Sequence, residues 1–205
     1  MDIILASTSP YRRRLLERLQ LSFRCIPPEI EESSLPGETP AAMAQRLARL
    51  KARSVAARYP GAVVIGSDQV AFVEGSILDK PGSFDRAKAQ LRSSSGRVVH
   101  FYTAVALVCI DRGLEKLHVE PFNVRFRILN DIQITNYLHR EQPYDCAGSF
   151  KIEGLGIALF EGLTGNDPTS LEGLPLIKLT ELLTDVGLDV LQNPANLHAH
   201  RRSQE

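Results

Sequence analysis

A strand that runs without a linker into a serine–proline corner constrains this chain more than any other feature. The apolar run Ile3-Ile4-Leu5-Ala6 is followed directly by Ser7-Thr8-Ser9-Pro10-Tyr11-Arg12-Arg13-Arg14-Leu15-Leu16. Ser9 is a good helix N-cap, and Pro10 takes the first helical position, where a missing N–H costs nothing. Such strand-to-helix corners belong to layered α/β folds. The corner also has a chemical consequence. A helix start presents unpaired N–H groups and the positive end of its dipole. The hydroxyls of Ser7 and Ser9 and the guanidinium groups of Arg12 and Arg13 gather there, which is a place to hold phosphate. An arginine run also fits a solvated helix face, so the reading depends on acids and further cations elsewhere in the chain.

The same punctuation recurs. Thr39-Pro40 predicts a second helix whose apolar face includes Met43, Leu47, Leu50 and Val55. A short strand is expected over residues 21–26, then a Pro/Glu/Ser-rich loop over 27–38. A buried strand is expected over 62–73, with a turn at Glu74-Gly75, and Ser83 caps a third helix that runs to about Arg92. The second half opens as a β-hairpin: residues 98–110, a turn at Asp111-Arg112-Gly113, and a return over 116–128. Asn130 with Gln133 comes close to a capping box. A glycine-spaced strand over 154–160 and a helix over 175–186 complete an α/β domain spanning 1–190. Residues 191–205 are polar and lose periodicity, so a frayed tail is expected there, including His198 and His200.

Bulk properties exclude several function classes. The 205 residues carry 24 Lys and Arg against 24 Asp and Glu, so no extended nucleic-acid surface is expected, and no interleaved aromatic and basic stripe is present. A nucleotide-sized ligand needs only a local cluster of cations. No apolar run is long enough to span a membrane, and the N-terminus does not read as a signal peptide, so a cytoplasmic protein without membrane partners is expected. Cys25, Cys109 and Cys146 show neither a disulfide framework nor metal-ligand spacing, and each reads as a small buried apolar side chain. The sequence leaves the oligomeric state open and is compatible with a homodimer.

Asp68 is the strongest single acid. It interrupts an otherwise apolar strand directly after Gly66-Ser67, and a carboxylate there is buried unless it has a task or a partner. It can serve as a general base for water, as a ligand for a divalent ion, or as both. Glu31 and Glu32 lie in the loop before the second helix. Lys51 sits at the junction of that helix's apolar and polar faces, where a snorkelling surface lysine is the plain alternative. Lys80 precedes Pro81 on extended chain. Together with Ser7, Ser9, Arg12 and Arg13 these residues make a phosphoryl-transfer set: cations and helix N–H groups for phosphates, acids for metal and water.

In their order and spacing these motifs closely resemble the Maf-like nucleoside triphosphate pyrophosphatases. The resemblance rests on Ser7-x-Ser9-Pro10-x-Arg12-Arg13, Glu32, Lys51-Ala52, Gly66-Ser67-Asp68-Gln69, Lys80-Pro81, Ser95-Gly96 with Thr103, and Ala147-Gly148-Ser149-Phe150-Lys151. It covers nearly the whole chain, from about residue 3 to 183. It implies an elongated mixed-sheet α/β fold with two lobes around a cleft, like that of the inosine-triphosphate pyrophosphatases. It also implies hydrolysis of a nucleoside triphosphate to the monophosphate and pyrophosphate with Mg2+ or Mn2+. Carried over by residue, Asp68 is the proton acceptor, Ser9, Arg12, Arg13, Lys51 and Lys80 contact phosphate, and Glu32 helps Asp68 hold the metal.

Several positions depart from the commoner family pattern, whose members act on thymidine and uridine triphosphates: Ser67 stands in place of alanine and Val99 in place of a frequent histidine. Gln69 stands in place of threonine, Tyr11 in place of arginine and Glu153 in place of glutamine, as in the subgroup that hydrolyses 7-methyl-GTP. Methylation at N7 makes the guanine ring cationic, and an aromatic ring such as Tyr11 stacks on a cation. A carboxylate such as Glu153 is acceptor-only and takes both N–H donors on the guanine edge, whereas a pyrimidine needs a mixed donor and acceptor. The alternatives are the same reaction on dTTP, UTP or another modified nucleotide, and a non-catalytic nucleotide-binding regulator.

Overall fold

The computed structural model describes residues 1–192. The tail expected over 191–205, with His198 and His200, lies outside the described residues from position 193 onward. Seven strands form one mixed sheet: β1 (Ile3–Leu5), β2 (Arg24–Cys25), β3 (Val63–Val73), β4 (Ser76–Leu78), β5 (Val98–Cys109), β6 (Leu114–Phe126) and β7 (Phe160–Gly165). Their order is β2-β1-β3-β5-β6-β7, with β4 paired to β3. β1 runs parallel to β2 and β3, and the other pairings are antiparallel. Five helices accompany the sheet: α1 (Pro10–Glu17), α2 (Pro40–Ala56), α3 (Phe84–Ser94), α4 (Asp131–Glu141) and α5 (Leu176–Asp185). Ser9, Thr39 and Ser83 each accept the N–H three residues on, and Asn130 with Gln133 closes a full capping box.

Strand alternation distributes the core over both faces of the sheet. Ile3, Leu5, Val63 and Ile65 pack with Leu15 and Leu16 of α1 and with Leu179 and Leu183 of α5. Ile4, Ala6 and Val64 face the other way, onto Ala44, Ala48, Ala52 and Val55 of α2. The far ends of β3, β5 and β6 enter a separate core with α3 and α4, where Phe101, Phe126, Phe150 and Phe160 meet edge to face. Gly66 decides how closely α2 approaches. A Cβ there would lie 2.3 Å from the Ala48 carbonyl oxygen and 2.6 Å from the Ala52 nitrogen. Without it the α2 backbone lies against β3, so side chains that follow on both elements meet at short range.

The structure differs from the sequence expectations in several places. Leu50 is 38% exposed, because the inward rows of α2 run through 44-48-52 and 47-51-55 and leave position 50 outside. Residues Leu155–Leu159 form a 3-10 turn, and the strand begins only at Phe160. Gly156 folds back onto residue 151, where a Cβ would come within 2.2 Å of the Lys151 carbonyl oxygen, and Glu141 accepts the Leu155 N–H at 2.7 Å. The second strand has only two residues, and β4 was not anticipated. Cys25 is exposed and Cys146 half-buried, so only Cys109 fits the expected buried thiol. Among the described residues no helix is long and apolar enough to cross a membrane.

Candidate active site

Two cavities meet at the start of α1. The larger, of about 440 Å3, has Asp68, Lys51, Glu32, Asp79 and Pro27 in its walls. The smaller, of about 270 Å3, has Tyr11, Asp145, Glu153 and Glu172. Thr8, Ser9, Arg12, Gln69, Lys80 and Ala147 line both, so the α1 N-terminus is a partition between two connected chambers.

Asp68 anchors the first chamber. It lies two residues after Gly66 on β3, on the same face, and Lys51 lies between Ala48 and Ala52 on α2. Lys51 Nζ donates to Asp68 Oδ1 at 2.7 Å and to Glu32 Oε2 at 2.8 Å. Both Asp68 and Lys51 are buried, at 6% and 5% exposure, so Lys51 is no snorkelling lysine. Burial pushes the Asp68 carboxyl above the usual carboxylate range; the charges of Lys51 and Arg12 oppose the rise, and that of Glu32 adds to it. Glu32 itself is exposed, on the loop between β2 and α2. That loop is tied down by Arg46, whose Nε and Nη2 grip Glu38 at 2.6 and 2.7 Å while Nη2 also donates to the Ser33 carbonyl.

The corner expected to hold phosphate is preorganised. Ser9 caps α1 by accepting the Arg12 N–H, and Ser7 Oγ accepts the Ser9 N–H at 3.1 Å. Arg12 is half-buried, and its Nε donates to the Gly173 carbonyl at 2.9 Å. Burial lowers its pKa while Asp68 and Glu32 oppose the fall, and a guanidinium stays protonated regardless. Ser67 Oγ lies 2.8 Å from the same carbonyl, and Gly173 holds a φ of +103°, which favours glycine. Lys80 is exposed at the shared rim. Arg13 is different: it points outward to Glu17 at 2.9 Å, is 64% exposed and lines neither chamber. A helical wheel distinguishes the pair, since Arg12 lies three and four residues before the buried Leu15 and Leu16.

Tyr11 and Glu153 both line the second chamber. The Tyr11 hydroxyl donates to Asp145 Oδ2 at 3.1 Å, and burial is the first cause that holds its pKa above the ordinary phenol value. The thiol of Cys146, next in the chain, is pushed up to about 12, mainly by burial. Gln69 sits on the opposite face of β3 from Asp68, and its amide nitrogen shares two protons among Thr103 Oγ1 and the carbonyls of Ser170 and Leu171. It therefore fixes the turn at Pro168–Glu172 against the sheet. Asp145, Glu172 and the Gly173 carbonyl were not identified from sequence, and Arg14 reads there only as part of the arginine run at the corner expected to hold phosphate. Only Gly173 carried a signal, a glycine ahead of Leu174-Pro175. Asp145 is 134 residues from the tyrosine it meets.

A metal implied by the resemblance can be tested against these donors. Among the described residues no group of three or more His, Cys, Asp or Glu side chains gathers to hold an ion. Glu32 and Asp68 converge on one ammonium, so together they offer two carboxylates. That donor set suits Mg2+ or Mn2+, which take oxygen ligands and complete their shell with substrate phosphates and water.

A chamber of buried acid and cation, joined through a helix N-terminus to a chamber of ring and carboxylates, defines a cleft for a polyanion carrying a planar group. The chain matches the model of the Maf-like protein family over residues 2–186, and it belongs to that family. Proteins from Polaromonas sp. and Nitrosococcus oceani, each named 7-methyl-GTP pyrophosphatase, are similar to it. The first is 55% identical over 186 residues, covering 91% of this chain and 85% of the relative. The second is 56% identical over 189 residues, covering 92% and 95%. Among solved structures, a HAM1 protein from Coxiella burnetii aligns with 90% of this chain and 99% of its own, at 17% identity and a TM-score of 0.49.

Proposed function

We propose that the protein is a nucleoside triphosphate pyrophosphatase that hydrolyses 7-methyl-GTP to 7-methyl-GMP and pyrophosphate, with Asp68 accepting the proton of the attacking water. The buried Asp68–Lys51 pair, at the floor of a cavity open to the α1 N-terminus, is the observation that supports this most. The triphosphate lies along Ser9, Arg12, Lys51 and Lys80, and the base enters the second chamber. The water oxygen attacks the α-phosphorus. Its bond forms as the bond from that phosphorus to the bridging oxygen breaks; the proton passes to Asp68 and pyrophosphate leaves with the electron pair. A carboxylate whose pKa burial has raised is a better base for this task than an ordinary one. Lys51 has three N–H donors and uses two on Asp68 and Glu32, which leaves one for a phosphate oxygen.

Glu32 and Asp68 are the residues that would hold a divalent cation. Bound there, it supplies charge neutralisation for phosphates that the two acids otherwise repel. In the second chamber Tyr11 stacks on the cationic ring, and Glu153 accepts the N1–H and N2 donors of guanine. The support for this substrate is the identity of those two side chains and the names of the close relatives.

The test is pyrophosphate release from 7-methyl-GTP, GTP, dTTP and UTP with Mg2+, with Mn2+ and with excess chelator. The highest kcat/KM is expected for 7-methyl-GTP, with release abolished by chelation. Preference for a pyrimidine triphosphate would overturn the substrate, and full activity in chelator would overturn the metal. Binding without release from any nucleotide would make the protein a nucleotide-binding regulator instead.

A further inference from the structure

A planar cation stands beside the second chamber, in contact with two of its lining residues. The Arg14 guanidinium carbon stands 5.1 Å from the centroid of the Tyr11 ring, and its Nη2 lies 3.8 Å from Glu153 Oε1. These are the two groups proposed to receive the methylated base. One turn further along α1, Arg18 Nη1 lies 3.9 Å from Glu172 Oε1. Glu172 lines the chamber beside Glu153, and its side chain is 26% exposed. Neither arginine makes a hydrogen bond to its glutamate, and both are more than half exposed, at 63% and 59%. Such long, solvated pairs hold little energy and yield readily to a better-placed cation. The glutamates, by contrast, are close enough to disturb each other. Burial raises the Glu172 carboxyl above its ordinary value and the charge of Glu153 raises it further, while Arg18 and Arg14 oppose. Glu153 and Glu172 thus form an acidic part of a chamber that Arg12 and Lys80 also line, and the arginines paired with these two glutamates, Arg14 and Arg18, are loosely held.

We infer that the base is selected by cation exchange: the positively charged ring of 7-methylguanine replaces the Arg14 guanidinium between Tyr11 and Glu153, and Glu172 is a second specificity-determining carboxylate that reads the charge. This rests on the proposed 7-methyl-GTP reading and goes beyond it. Glu153 has a hydrogen-bonding task that any guanine satisfies. Glu172 distinguishes methylated from unmethylated guanine through charge, because a neutral ring does not compensate two adjacent carboxylates once Arg14 has swung out. The exchange costs little on the protein side, since Arg14 moves from a weak pair into water.

Binding of the monophosphate product separates this from any effect on turnover. The probes are 7-methyl-GMP and 7-methyl-7-deaza-GMP, which share a shape and differ in the ring's positive charge. Calorimetric affinities are measured for the wild type, Glu172→Gln and Arg14→Gln. The wild type is expected to favour the cationic probe. Glu172→Gln should shrink that preference by roughly fivefold or more, the size of one nearby charge at partial exposure, with the neutral probe nearly unmoved. Arg14→Gln should tighten the cationic probe severalfold, because its competitor has gone. An unchanged preference in Glu172→Gln, an equal loss for both probes, or weaker binding of 7-methyl-GMP to Arg14→Gln would each overturn the exchange. If the wild type hydrolyses 7-methyl-GTP and any of these three results appears, only this inference fails. If it releases no pyrophosphate from 7-methyl-GTP, the proposed function fails first.

Discussion

In the chamber around Asp68 an ammonium and a carboxylate meet at 2.7 Å, both almost out of water; beside the chamber around Tyr11 a guanidinium stands 3.8 Å from a carboxylate, the first 63% exposed and the second 30%. The two sites share a helix N-terminus and several lining residues, yet they hold charge in opposite ways. Breaking a buried pair leaves an uncompensated charge and costs about 3–5 kcal/mol, whereas an exposed pair contributes about 0–1 kcal/mol. The difference suits the two tasks proposed for them. Proton abstraction needs a base of fixed position and tuned affinity. Recognition of a charged base needs groups whose partners can be displaced.

The largest effect is expected from Asp68→Asn, which keeps the shape and removes the proton acceptor. A loss of kcat of at least about 10²-fold should accompany an unchanged circular dichroism spectrum, with the thermal midpoint lowered because Lys51 loses its buried partner. Near-normal kcat would remove the first chamber from the chemistry and break the contrast. Next comes the double change Tyr11→Arg with Glu153→Gln. The ratio of kcat/KM for 7-methyl-GTP to that for dTTP should fall by roughly 10- to 10³-fold while hydrolysis of some nucleotide persists. A fixed ratio would mean that the second chamber does not read the base.

Gly66→Ala tests whether the short Asp68–Lys51 distance depends on close helix packing. A methyl group 2.3 Å from the Ala48 carbonyl must push α2 outward. Urea unfolding should show a loss of about 1–3 kcal/mol, the usual cost of overpacking, together with a lower kcat. The smallest effect concerns pH. Activity should fall as pH drops through the Asp68 pKa, and because burial raises that pKa, the acid limb of kcat should lie above the ~3.9 of an ordinary aspartate. Lys51→Met removes a charge that opposes the rise, so the limb should move to still higher pH.

Much of this arrangement was legible in the chain, for identifiable reasons. Ser9-Pro10, Thr39-Pro40, Ser83 and Asn130 carry capping chemistry that acts over three residues, and each begins a helix where expected. Asp68 stood out as a lone acid in an apolar strand, and Glu32, Lys51 and Asp68 do converge. What escaped were relations set by tertiary packing. Lys51 looks like an edge residue on a wheel drawn without knowing that Gly66 brings the sheet so near. The glycine spacing of 154–160 suits a strand, but Gly156 is needed instead for a fold-back onto Lys151. The Tyr11–Asp145 bond joins α1 to a loop that no local rule connects to it.

β3 acts as a partition with two owners. Its even-numbered Gly66 and Asp68 face α2 and the larger chamber, while its odd-numbered Ser67 and Gln69 face the Gly173 and Ser170 carbonyls, which belong to the bracing of Arg12 and of the Pro168–Glu172 turn. Because neighbouring residues on a strand cannot exchange sides without shifting register, a one-residue insertion here would transpose every role at once. Single substitutions have the opposite property. A change at an odd position alters the bracing of the Pro168–Glu172 turn and of Arg12, and leaves the Asp68–Lys51 contact on the other face in place.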